Sequence, residues 1–150
     1  MFIWVVALVC IVGCATGPQF RAASAPPPDA ARVYVYRLKH YNPWAGLVPN
    51  ATPYTIKMDD GRVVDLSNGG YYSFLARPGT NIIGSSMKYS HSWFVAIMLK
   101  KKELLRTEFT PGKTFYLKFE VGAFGSKMTV VDNALGEAEI RKCKLVAQTD

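Results

Sequence analysis

The chain has 150 residues, 49% of them hydrophobic and 19% charged, and 18 Lys and Arg against 11 Asp and Glu give a formal net charge of +7. That is one domain's length, and the proportions exclude both a disordered polymer and a collagen-like repeat. The apolar share is uneven: 12 of the first 13 residues are apolar and no charged side chain precedes Arg21, while the remainder is about 45% apolar, an ordinary figure for a folded domain.

Met1 to Gly13 is a short apolar run ending in small residues, the pattern of a secretory h-region. As a helix it would reach roughly 20 Å, short of a hydrocarbon core of about 30 Å, so it is not expected to span a bilayer. Ile11-Val12-Gly13-Cys14 resembles the lipobox of bacterial lipoproteins, in which a peptidase cuts before the Cys and its thiol is acylated. The resemblance implies a signal peptide over 1–13, lipidation of Cys14, and, because Ala15 rather than Asp follows, delivery to the outer membrane, facing the periplasm. One departure is the lack of Lys or Arg ahead of the apolar run. Several acyl chains, at about 0.8 kcal/mol per buried CH₂, would anchor such a protein stably. Cys10 then leaves with the signal peptide and Cys14 is blocked, so no intramolecular disulfide forms. Cys143 is left as a free thiol, expected to be buried rather than catalytic.

Residues 14–31 comprise the lipidated Cys and a Pro/Ala-rich tether without apolar period, ending in Pro26-Pro27-Pro28-Asp29-Ala30-Ala31. At about 3.1 Å per residue a free tether would let the domain stand roughly 50 Å from the lipid. From residue 32 to 150 the dominant period is two. Arg32 to Leu38 is rich in β-branched and aromatic residues, and Tyr54, Ile56 and Met58 alternate with Thr55 and Lys57. Asp60-Gly61 signals a hairpin into Val63 to Leu66, and Asn68-Gly69-Gly70 a turn into Tyr71 to Ala76. Trp93 to Leu99 is apolar on both faces, which fits a central strand or a buried helical turn, and its Trp, Phe, Val and Ile favour the strand. Pro78-Gly79 and Pro111-Gly112 carry the type II turn pattern between strand-like runs, which reads as two hairpins. Phe115, Leu117, Phe119 and Val121 define one apolar face, Met128 to Val131 is a further strand, and Ala134 to Lys142 is weakly helical. Together these predict an all-β fold: a single antiparallel β-sandwich of about seven to nine short strands with a short C-terminal helix.

The lipobox, the Pro-rich stretch, Val33-Tyr-Val-Tyr-Arg37, Asp60-Gly61, Gly70-Tyr-Tyr, Pro78-Gly79 and Pro111-Gly-Lys-Thr-Phe-Tyr-Leu117 together resemble bacterial lipoproteins carrying domain of unknown function 2846. The resemblance covers about residues 32–145 and implies a transthyretin-like or carbohydrate-module-like β-sandwich. It brings no catalytic residue with it.

Several motifs point to function classes. Gly112-Lys113-Thr114 looks like the end of a P-loop, but Thr107 stands where a Gly is needed and the segment opens a strand, so nucleotide binding is excluded. Asn50-Ala51-Thr52 matches a glycosylation sequon that has no meaning beside a bacterial lipobox. Lys100, Lys101 and Lys102 form the densest positive cluster, suited either to an anionic envelope surface or to a solvated strand edge. Tyr41 and Trp44 beside His40, and His91 and Trp93 farther on, make a candidate ligand-binding set, because rings beside polar donors stack on sugars or grip peptides. The bland alternative is that they cover an end of the core. Two histidines without Cys or carboxylate at ligand spacing predict no metal, and no cofactor motif is present. The carboxylates show no acid and base pairing: Asp59 and Asp60 fall in a turn, and Glu120 lies on the face opposite Phe119.

The sequence therefore predicts a non-catalytic protein-interaction or scaffolding module, anchored in the membrane through Cys14, with an envelope protein or peptidoglycan as partner and no nucleic acid. A wall-glycan binder using the loop aromatics is the alternative, and an envelope hydrolase the remote one.

Overall fold

The computed structural model describes residues 15–40, 52–87, 103–122 and 125–146. Within them the period-two segments form β1 (Ala31–Tyr36), β2 (Tyr54–Met58), β3 (Val63–Leu66), β4 (Gly70–Ala76), β5 (Gly79–Met87), β6 (Glu103–Phe109), β7 (Thr114–Gly122), β8 (Gly125–Val131) and the short β9 (Lys144–Leu145), with helix α1 (Asn133–Ile140) between the last two. A five-stranded sheet in the order β8-β7-β1-β4-β9 packs on a four-stranded sheet in the order β3-β2-β5-β6. The fold is the expected all-β sandwich with a short C-terminal helix, and the run 93–99, read as a central strand, lies outside the described residues.

Two details differ from the sequence expectation. β1 pairs with β7, and β4 with β9, in parallel, so the larger sheet is mixed; the other pairings are antiparallel. The second difference explains the β1–β7 pairing. Pro78-Gly79 and Pro111-Gly112 are not hairpins: the first carries the chain from β4 in one sheet to β5 in the other, and the second carries it back from β6 to β7. Type II geometry splays adjoining strands, which suits a corner between layers better than a twisted two-stranded ribbon. Gly79 (φ 102°) and Gly112 (φ 71°) supply the left-handed residue it needs, and Lys113 N–H donates to the Thr110 carbonyl at 3.3 Å to close the second corner. After two corners β7 returns beside β1 running the same way.

β1 shows why the larger sheet is covered on both faces. Val33 and Val35 point into the sandwich with Ile56, Leu66, Ile83 and Leu117, all buried. Tyr34 and Tyr36 point to the opposite face, where they meet Tyr71, Tyr116, Ile140 and Cys143. That outer layer is roofed by α1 and by residues upstream of the sheet. Phe20, within the stretch expected to be a free tether, is buried edge-on against Tyr34 (5.2 Å) and Tyr71 (5.5 Å). Seating such a ring is worth about 1.5–3 kcal/mol. Cys143 is fully buried, as expected of an unpaired thiol.

Helix α1 begins at Asp132, whose carboxylate accepts from Leu135 N–H at 3.0 Å. Gly136 lets it lie close on Tyr116: a Cβ there would stand 2.3 Å from the tyrosine Cβ. Among the described residues no helix is long and apolar enough to cross a membrane.

Candidate functional site

The best-developed polar feature is the end of the sandwich where the turn 67–70 joins β3 to β4. Asn68, buried, exchanges two hydrogen bonds of 3.1 Å with the backbone of His40: His40 N–H donates to its Oδ1, and its Nδ2 donates to the His40 carbonyl. Its own carbonyl accepts from Ala15 N–H at 3.2 Å, and the Gly69 carbonyl accepts from Lys144 N–H at 2.9 Å. One turn thus holds the end of β1, the start of β9 and residue 15. Gly70 makes this possible, since a Cβ there would stand 2.5 Å from Val146 and 3.2 Å from Ala15.

Beside it, Arg37 follows Val33 and Val35 on the inner face. It is buried, donates from Nη1 to the Thr52 carbonyl at 2.9 Å, and lies over the Tyr54 ring at 5.4 Å. Arg37, Leu38, His40, Lys118, Phe119, Glu120 and Val121 line a cleft of about 200 Å³. That is below the range of about 300–1,000 Å³ typical of small-molecule sites.

On the helix side of the sheet, Tyr36 Oη donates to Glu139 Oε2 at 2.6 Å and Lys118 Nζ to Glu139 Oε1 at 2.9 Å, with Glu120 3.5 Å from the same ammonium. Burial disfavours the Glu139 carboxylate, but donation from Tyr36 and Lys118 outweighs it and holds the group below the usual range. The hydrogen bond to Glu139 raises Lys118, and burial together with the same carboxylate pushes the Tyr36 phenol far up. Burial also pushes the Cys143 thiol up to about 12, so it stays protonated and poorly nucleophilic. This network fastens α1 to the sheet with every partner engaged. Among the described residues no group of three His, Cys, Asp or Glu side chains could hold a metal ion.

Of the residues singled out in the sequence, Cys14, Tyr41, Trp44, His91, Trp93, Lys100, Lys101 and Lys102 lie outside the described residues. Their flanks are described. The chain leaves at His40 and returns at Thr52, and it leaves again at Met87 and returns at Glu103. Tyr54 pairs with both Leu66 and Met87, and Ser85 with Glu103, so all four flanks fall at the end of the sandwich that carries Asn68. Glu120 is exposed, the Asp60 carboxylate serves its turn, accepting from Arg62 N–H (3.1 Å), and the Asp59 carboxylate ties that turn to β5, accepting from Ile82 N–H (3.0 Å). Sequence reasoning missed the buried Arg37, although a strict period of two from Val33 and Val35 already puts it on the inner face. It also missed Asn68, whose role depends on strands distant in sequence. Compared with known proteins, the chain matches no family model and no curated protein.

Proposed function

We propose that the chain is a membrane-anchored envelope lipoprotein, of the kind that carries domain of unknown function 2846, acylated at Cys14 and acting as a non-catalytic protein-interaction or scaffolding module at the periplasmic face of the outer membrane. The observation that carries this reading is the charge-free apolar run that ends in Ile11-Val12-Gly13-Cys14. Metabolic labelling with palmitate tests the anchor: the native sequence incorporates label into the membrane fraction, and Cys14→Ala abolishes it. Label that persists in Cys14→Ala overturns the reading.

A second reading, binding of cell-wall glycan through Tyr41, Trp44, His91 and Trp93, is favoured by one observation. Both stretches that carry these residues depart from the same end of the sandwich. Co-sedimentation with insoluble peptidoglycan that is lost in Trp44→Ala supports it, and co-sedimentation unchanged in that variant removes the stacking set. Lys100, Lys101 and Lys102 belong to the stretch between β5 and β6 and would add attraction to any anionic surface there.

A further inference from the structure

A lipid anchor on a free tether leaves a domain to tumble above the bilayer, and residues 15–31 as polyproline-like chain would span roughly 50 Å. Residues 15–20 are not free. Ala15 donates to the Asn68 carbonyl at 3.2 Å and packs against the sandwich core, the Pro18 carbonyl accepts from Leu145 N–H at 2.8 Å, Gln19 bridges to Lys144, and Phe20 is buried between Tyr34 and Tyr71. Gly17 lies so close to β9 that a Cβ would stand 2.2 Å from the Leu145 carbonyl oxygen. Only glycine permits that approach.

Consecutive Cα atoms are about 3.8 Å apart, so whatever is attached to Cys14 begins one residue from the docked Ala15. The same turn that receives Ala15 holds His40 through Asn68 and Lys144 through Gly69, and the Lys39 side chain lies against Gly69. Lys39, His40 and Lys144 are all exposed there. The Pro78-Gly79 and Pro111-Gly112 corners lie at the other end, one strand length away; nine residues of β7 at about 3.4 Å each give roughly 30 Å.

We propose that residues 15–20 are a clamp that holds the domain in one orientation on the membrane, with the turn 67–70, Lys39, His40 and Lys144 against anionic lipid headgroups and the two Pro-Gly corners pointing away. The clamp rests on the acylation of Cys14 proposed above. It converts the anchor from a leash into a mount, and presents the far corners and the outer face of the four-stranded sheet to partners in a fixed direction.

The test uses the acylated full chain in vesicles of phosphatidylethanolamine and phosphatidylglycerol that contain a headgroup-nitroxide lipid. A fluorophore is placed at Lys39→Cys or, separately, at Lys113→Cys; Cys143 is buried and does not compete for label. Strong quenching at position 39 and little at 113 is expected, with loss of that contrast in Gly17→Val and in Phe20→Ala. Equal quenching at the two positions, or a contrast unchanged in both variants, overturns the clamp while acylation, read separately by palmitate incorporation, still stands. Failure of the native sequence to incorporate palmitate overturns both.

Discussion

Gly136→Ala puts two opposing effects in the same residue. Gly136 occupies the interior of α1, where replacing glycine by alanine ordinarily stabilises by about 1 kcal/mol. Here the new Cβ would stand 2.3 Å from both Cβ and Cγ of Tyr116. Carbon atoms rest at about 3.5–4.0 Å, so helix and strand must part by more than about 1 Å. Overpacking of this sort costs about 1–3 kcal/mol. The displacement also stretches the bonds from Tyr36 (2.6 Å) and Lys118 (2.9 Å) to Glu139, and hydrogen bonds to charged groups contribute about 1.5–3 kcal/mol each. Allowing partial loss of that pair, Gly136→Ala should destabilise by about 2–4 kcal/mol despite its better helix propensity. Equilibrium urea unfolding followed by far-ultraviolet circular dichroism measures it, with Ala138→Gly on the exposed side of α1 as a control expected to cost about 1 kcal/mol. A Gly136→Ala protein as stable as the parent, or more so, refutes the close packing of α1 on Tyr116.

Three further outcomes are expected. The Glu139 carboxyl is held below its ordinary 4.5, so its contribution to stability is complete above that value and fades as the pH falls through the lower folded value; Glu139→Gln should flatten the acid limb of a stability profile, and an unchanged limb counts against the network. Cys143 should resist maleimide at pH 8 in the native protein and react on unfolding, because its thiol is buried and pushed up to about 12; rapid native labelling contradicts that burial. Asn68→Ala strands the His40 N–H and carbonyl and should lower stability by about 1–3 kcal/mol, read as a shifted urea midpoint, whereas an unshifted midpoint removes Asn68 as the hub of that end.

Local chemistry made much of the fold legible. Tyr54, Ile56 and Met58 turn inward and Thr55 and Lys57 outward as their alternation demands, Gly61 closes the β2–β3 hairpin, and Asp132 caps a helix close to the one expected. What stayed hidden depends on partners far along the chain. The Pro-Gly pairs announce a turn, but whether a turn stays in one sheet or changes layer is decided by the strands beyond it. Tyr34 and Tyr36 interrupt the polar alternation of a half-exposed strand, a sign that a second layer covers β1, yet nothing local names Phe20 as part of that layer. Phe20 is a single ring in a Pro/Ala-rich setting, where periodicity has nothing to register. Of the proposed site, Arg37 was readable from its strand position; Asn68 was not, since a turn asparagine usually serves its own turn.

The bonds between residues 15–20 and β9 also bear on the order of assembly. Pro18 and Gln19 find their partners in Leu145 and Lys144, which enter the chain more than a hundred residues later. Ala15 and Phe20 can already meet Asn68, Tyr34 and Tyr71 by then, but Pro18 and Gln19 have no backbone partner until nearly the last described residues have arrived, and contacts so distant in sequence are the slow ones to form. A chain cut short before Lys144 would lack Leu145 against that aromatic layer and the backbone partners of Pro18 and Gln19, so Phe20 would be held by its ring contacts alone and open more often, a hydrophobic flag by which an unfinished molecule differs from a finished one.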